Sequence, residues 1–156
     1  MTSFVKINTE NYHLYIERIL EIENLSFPSP WSLRAFLEEI KNPISHLWVA
    51  VENKVLSGNI CFWMFDREIQ TINLAVHPDK RNRSLGQYLL TKMIEEGISN
   101  GIPNIWLEVR RSNSAAKHLY EKFGFEAVGC RPRYYKETNE DAIIMALALT
   151  EMKLAV

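Results

Sequence analysis

Between Ile72 and Val109 the hydrophobic period of the chain changes twice, and this constrains the fold more than any other stretch. Ile72-Asn73-Leu74-Ala75-Val76 is apolar and β-prone, and His77 to Arg83 forms a basic turn containing Pro78. From there Leu85, Tyr88, Leu89, Met93, Ile94 and Ile98 recur at helical spacing until Asn100-Gly101-Ile102-Pro103, where a glycine and a following proline stop the helix. Ile105 to Val109 is again β-prone. Strand, helix and strand within about 40 residues predict two parallel neighbours joined by a right-handed crossover.

The turn therefore becomes a helix N-terminus at a strand end. The first N–H groups of a helix have no partner within it, and with the helix dipole they favour an anion such as phosphate. Lys80, Arg81 and Arg83 stand beside them. Taken alone, the same charges equally suit a solvated surface turn. No Gly-Lys-Ser/Thr follows, and only Gly86 is available where a dinucleotide fingerprint needs three glycines, so neither nucleotide motif applies.

The remaining chain reads as further strands and helices. A short strand is expected at Phe4 to Ile7. A helix then carries Tyr12, Tyr15, Ile16, Ile19, Leu20 and Glu23 at helical spacing, one apolar face ending in a polar residue. Two prolines in Phe27-Pro28-Ser29-Pro30-Trp31 break it, after which Ser32 can cap a helix bearing Leu33, Phe36, Leu37 and Ile40. His46 to Val51, Val55 to Phe65 and Glu68 to Val76 form a meander through turns at Asn53-Lys54 and Asp66-Arg67, with Gly58 marking a bulge. Asn113 or Ser114 starts a helix over Ala115 to Phe123, and Phe125 to Cys130 and Ala142 to Leu147 are the last strands. Arg131 to Asp141 is expected to be an exposed connection. The predicted class is α/β, a central mixed sheet of about seven strands with helices on both faces. Its two central parallel strands part where the helices begin, a place where such sheets hold ligands.

Composition narrows the function classes. With 156 residues, 47% hydrophobic and 24% charged, the chain is expected to be one globular domain spanning 1–156. A net charge of -1 gives no overall attraction to nucleic acid or to an anionic membrane. Cys61 and Cys130 are far apart, make no metal-ligand spacing and are expected to be reduced and packed. No signal-like N-terminus and no run of 18 apolar residues occurs, so a soluble cytoplasmic protein is expected.

Glu108 stands near the end of the apolar strand Trp106-Leu107-Glu108-Val109, either facing water, with Arg110 or Arg111 as partner, or partly buried. A carboxylate partly removed from water is a usable base near neutrality. Tyr120 can pack its ring on the core and still turn its phenol into a cleft as a proton donor, although a merely packed tyrosine is the ordinary outcome. Asn113 is a helix cap or a ligand contact. His13, His46, His77 and His118 form no catalytic spacing, and there is no G-x-S-x-G, C-x-x-C or H-E-x-x-H.

These stretches resemble the acetyl-coenzyme A dependent N-acetyltransferases of the GNAT superfamily, over almost the whole chain. The superfamily loop Q/R-x-x-G-x-G/A is matched by Arg81-Asn82-Arg83-Ser84-Leu85-Gly86, with Ser84 in place of the first glycine. Serine costs about 1 kcal/mol at positive φ, so an ordinary helical-entry conformation at Ser84 is the expectation that keeps the loop amides on offer. Within the superfamily the chain is similar to the bacterial RimI group, the N-terminal alanine acetyltransferases of ribosomal protein bS18. Phe27-Pro28-Ser29-Pro30-Trp31-Ser32, Ile72 to Leu90, Trp106 to Ala116, Leu119 to Phe125, Arg133-Tyr134-Tyr135 and Asp141 to Met145 carry this likeness.

The resemblance implies that Leu74, Ala75 and Val76 present backbone to the acetyl and pantetheine portion, while Arg81, Asn82, Arg83, Ser84, Leu85, Gly86 and Gln87 hold the pyrophosphate and Asn113 lies further along the coenzyme. It puts Glu108 in the place of the proton acceptor and Tyr120 in that of the donor. Phe27, Trp31, Arg133, Tyr134 and Tyr135 fall on the walls of a peptide groove, and Glu68 is a competing carboxylate. The implied co-substrate is acetyl-coenzyme A and the implied partner a protein N-terminus, most specifically that of bS18. No metal, nucleic acid or membrane is implied, and the chain is expected as a monomer or weak dimer. Lysine or small-amine acetylation on the same scaffold, and a non-catalytic coenzyme A module, are the alternatives.

Overall fold

The computed structural model describes residues 1–149. Strands β1 (Thr2–Lys6), β2 (Ser45–Glu52), β3 (Val55–Phe65), β4 (Glu68–Val76), β5 (Asn104–Arg110), β6 (Glu126–Tyr135) and β7 (Glu140–Ala148) form one sheet in the order β1-β2-β3-β4-β5-β7-β6. All neighbours are antiparallel except β4 and β5. The two hairpin turns of the meander are built without glycine: Asn53 and Lys54, then Asp66 and Arg67, all take positive φ, the backbone twist that matches two antiparallel strands. At Gly58 the β2–β3 register shifts, and a Cβ there would stand 2.9 Å from the Ala75 carbonyl oxygen.

Four helices cover the sheet. Helices α1 (Ile16–Ser26) and α2 (Leu33–Lys41) bury Ile19, Ile22 and Phe36 against Leu47, Val49, Cys61 and Ala75 on one face. Helices α3 (Leu85–Ser99) and α4 (Ser114–Lys122) bury Leu89, Leu90, Met93 and Tyr120 against Ile60, Phe62, Ile105 and Leu107 on the other. Local signals fix the ends: Ser32 accepts the Ala35 N–H and Asn113 the Ala116 N–H as N-caps, while Gly101 and Gly124 take positive φ after α3 and α4. The first helix begins later than its apolar spacing suggests, because Tyr12–Leu14 is a separate 3-10 turn. Among the described residues no helix is long and apolar enough to cross a membrane.

Two expectations are corrected. Arg131 to Asp141 is mostly hairpin, with β6 reaching Tyr135 and β7 starting at Glu140. Its polar, loop-like composition reflects an edge strand open to solvent at nearly every residue. Cys130 lies on that edge and is exposed, so only Cys61 is packed; burial pushes the Cys61 thiol up to about 12.

The feature that positions a site is the parting of β4 and β5. Their pairing runs from Glu68↔Asn104 to Thr71↔Leu107 and stops. Beyond it β4 stays paired to β3 as far as Val76, and β5 to β7 as far as Arg110. The stretch from Ile72 to Val76 therefore keeps one hydrogen-bonding edge free.

Candidate active site

A cavity of about 940 Å³ opens at this splay. One end is the loop into α3. Ser84 has φ 64° and ψ 20°, the left-handed conformation, and Asn82 has φ 64°. The helical-entry conformation expected of Ser84 is thus replaced by the glycine-like one at the cost noted above, because the backbone must reverse there to start α3 on the sheet. Ser84 makes no side-chain cap, which leaves the first-turn amides of Leu85, Gly86 and Gln87 on the cavity wall without a protein side chain satisfying them. Gly86 is required for another reason than its φ: a Cβ would stand 3.1 Å from Leu119 Cδ2, where α3 meets α4.

The basic residues of the loop separate. Lys80, Arg81 and Asn82 line the cavity. Arg81 Nε donates to the Val76 carbonyl at 3.1 Å and its guanidinium reaches Ser26 Oγ at 3.5 Å. Arg83 turns away to Glu52, 3.2 Å off, and lines no part of the cavity. His77 is buried and structural, its Nδ1 accepting the Asp79 N–H at 3.1 Å.

At the other end the alternation of β5 sends Ile105, Leu107 and Val109 into the core and leaves Glu108 on the opposite face. Glu108 and Tyr120 both line the cavity. The cation at Glu108 is Arg131 from β6, with Nε 3.2 Å from Oε1. The expected partners are engaged elsewhere: Arg110 holds Glu137 and Thr138 Oγ1, and Arg111 holds Asp141. Arg110, two residues on, shares the Glu108 face of β5, but Glu137 and Glu140 hold its guanidinium, so nearness in sequence did not decide the pair. Glu108 Oε2 is buried without a hydrogen-bond partner in the protein. The Tyr120 ring packs at 61° on Phe125, 5.6 Å between centroids, and burial, reinforced by Tyr135, pushes its phenol well above its ordinary range. It stays protonated at any neutral pH, as a proton donor must.

The walls are aromatic. Phe27, Trp31, Tyr134 and Tyr135 line the cavity, and Asn113 stands at the α4 end. Between Arg131 and Tyr135 the β6 register breaks, Arg133 takes φ 51°, and its N–H donates to Asp141 Oδ1. This bulge sets Tyr135 and the more exposed Tyr134 on the cavity wall and leaves Arg133 out of it. Tyr135 stacks under the Arg110 guanidinium at 4.0 Å and burial lifts its phenol to about 12. Glu68 is exposed at the opposite end of β4, about 25 Å from Val76 at the rise of an extended strand, and does not line the cavity.

The spacing arguments gave Glu23 no role in a site. It closes the apolar face of α1, is 1% exposed, and lines the cavity. Desolvation raises its pKa, against hydrogen bonds from the Trp31 N–H and the Asn73 amide that lower it. A carboxylate at an otherwise apolar helical position was the available signal. No cluster of His, Cys, Asp or Glu able to hold a metal occurs among the described residues.

Residues 16–125 match the acetyltransferase (GNAT) family. The ribosomal protein bS18-alanine N-acetyltransferase of Escherichia coli K12 is 37% identical over 131 residues, 83% of this chain and 88% of that protein. That of Salmonella typhimurium is 36% identical over 132 residues, again 83% and 88%. The crystal structure of the ribosomal-protein-S18-alanine N-acetyltransferase from Escherichia coli superposes with a TM-score of 0.86 at 30% identity, covering 100% of this chain and 97% of the other. Ard1 from Thermoplasma volcanium shares the fold, with a TM-score of 0.82 at 20% identity over 94% and 97% of the two chains.

Proposed function

Since the chain belongs to the acetyltransferase (GNAT) family, we propose that it moves acetyl from acetyl-coenzyme A to the N-terminal α-amine of a protein, the alanine of ribosomal protein bS18. The observation that carries this reading is the meeting of Glu108, Tyr120 and four aromatic walls in the one cavity at the β4–β5 splay. The names of the relatives supply the acceptor, and the match extends over 83% of this chain.

The donor end suits a thioester carried on a phosphorylated arm. Amides at the α3 N-terminus and the cations Lys80 and Arg81 favour the pyrophosphate, and the β4 edge from Leu74 to Val76, whose Val76 carbonyl already accepts from Arg81, offers its remaining backbone groups to the arm. An α-amine has a pKa of about 7.7 to 8.0 and lysine about 10.4, so removing the proton costs a terminal amine about 3 kcal/mol less. Glu108, directly or through one water, takes the remaining proton from the amine. The neutral amine attacks the thioester carbonyl, whose developing oxyanion meets a backbone N–H at Ala75 or Val76. The C–S bond breaks as the C–N bond forms; Tyr120 delivers a proton to the departing thiolate, and the nitrogen gives up its surplus proton to restore the phenol, so that the amide and the free thiol are the products. No acyl-enzyme forms.

Thiol release from acetyl-coenzyme A is the test, with a peptide carrying the bS18 N-terminus beside Ser- and Met-started peptides, a blocked lysine peptide and free polyamines. Preference for the alanine peptide is expected. Turnover of lysine or polyamine in its place overturns the acceptor, and absence of saturable acetyl-coenzyme A binding in calorimetry overturns the donor.

A further inference from the structure

We infer that Arg131 is a positioning residue for Glu108, delivered to the site from the edge strand of the sheet. This rests on the reading of Glu108 as the proton acceptor. The carboxylate is divided between two surroundings. Oε1 faces the Arg131 guanidinium at 3.2 Å, while Oε2 is buried with no partner in the protein. A buried acceptor left without a donor is costly, and such groups in native proteins call for a specific role. Holding one oxygen with a cation fixes the rotamer of the group, and with it the direction of the other oxygen.

The placement of Arg131 is itself built. Its residue pairs with Ala142 of β7, and Ala142 in turn pairs with Arg110 of β5, so the guanidinium reaches inward across a strand that presents a small side chain beneath it. The register break that follows Arg131 brings Tyr134 alongside, and the guanidinium lies 5.3 Å from that ring's centroid. One aromatic wall of the groove therefore also steadies the cation that orients the base. The two other arginines near Glu108 in sequence cannot substitute, since Arg110 is engaged by Glu137 and Glu140 and Arg111 by Asp141. Arg131 is 56% exposed while Glu108 is 18% exposed; the arginine can be exchanged at the surface without opening the core.

A kinetic double-mutant cycle tests this. Arg131→Gln, Arg131→Lys, Glu108→Gln and the double variant Arg131→Gln/Glu108→Gln are compared for kcat and KM on an alanine-started peptide, with acetyl-coenzyme A affinity and melting temperature measured for each. Arg131→Gln is expected to lower kcat on the order of 10- to 100-fold with donor affinity and melting temperature unchanged, and Arg131→Lys to restore part of it. In the Glu108→Gln background the same change is expected to alter kcat by about twofold or less, the signature of coupled residues. Equal losses in both backgrounds, or a wild-type kcat in Arg131→Gln, overturn the inference while leaving the Glu108 reading intact. A wild-type kcat in Glu108→Gln removes the Glu108 reading and the inference with it.

Discussion

Glu23 Oε1 accepts the Asn73 side-chain N–H at 2.7 Å, joining the last turn of α1 to β4 just past the point where its pairing with β5 ends. Its other oxygen accepts the Trp31 backbone N–H at 2.9 Å. One buried carboxylate thus ties together a donor-side strand and an acceptor-side wall. Glu23→Ala leaves both donors unpartnered and is expected to cost about 1–3 kcal/mol of stability. The KM for peptide should rise by more than the KM for acetyl-coenzyme A, because Trp31 loses its anchor; steady-state kinetics with each substrate varied, together with urea unfolding, checks both.

Glu108→Gln is expected to lower kcat about 10²-fold or more, the usual share of a general base. Tyr120→Phe should cost less, on the order of tenfold, since a thiol of pKa about 8.5 leaves tolerably without help. Glu68→Gln, at the far end of β4, is expected to match the parent chain. Parallel kcat measurements with donor affinity followed by calorimetry decide all three, and a larger loss in Glu68→Gln than in Glu108→Gln would reassign the base.

Ser84→Gly replaces a residue held at φ 64° by the one that tolerates it, and is expected to stabilise the protein by about 0.5–1 kcal/mol. The amides of the loop are already presented, so acetyl-coenzyme A affinity should change little. Thermal melts with and without the donor separate the two effects.

His46 stacks on Phe62 with rings 5.0 Å apart and 12° from parallel, and makes an edge contact with Trp48. Burial lowers its pKa below the ordinary 6.5, against the pull of Glu96 and with help from Lys6. The unfolded chain therefore binds this proton more readily. The stability that His46 contributes is present above pH 6.5 and is lost as pH falls through its folded value. His46→Phe should flatten that acid limb in urea titrations between pH 5 and 7 (ordinary histidine range).

Much of this architecture was legible locally. The period change from Val76 to Leu85, the Ser32 and Asn113 caps, and the glycines ending α3 and α4 are encoded within a few residues of where they act, and they bring Glu108, Tyr120 and the Leu85–Gln87 amides to one end of the sheet. Arg131 was not legible as the partner of Glu108, because the contact crosses β7 from a strand that begins 18 residues further along the chain. The hairpin of β6 and β7 was concealed by its exposure, which removes the alternation that marks a half-buried strand. Ser84 shows the reverse case: its local preference is overruled by the geometry that seats α3 on the sheet.

The parting of β4 and β5 leaves an edge strand in the interior of the sheet. Edge strands at a protein's rim invite pairing with other chains, but this one faces a cavity inside the molecule. On the proposed reading, what meets the donor's pantetheine arm there is main chain, common to every residue type. Substitutions at Leu74 or Val76 that keep the strand can therefore alter packing against α3 without erasing the recognition surface, and the inheritance of this part of the site lies in the shape of the sheet and not in its side chains.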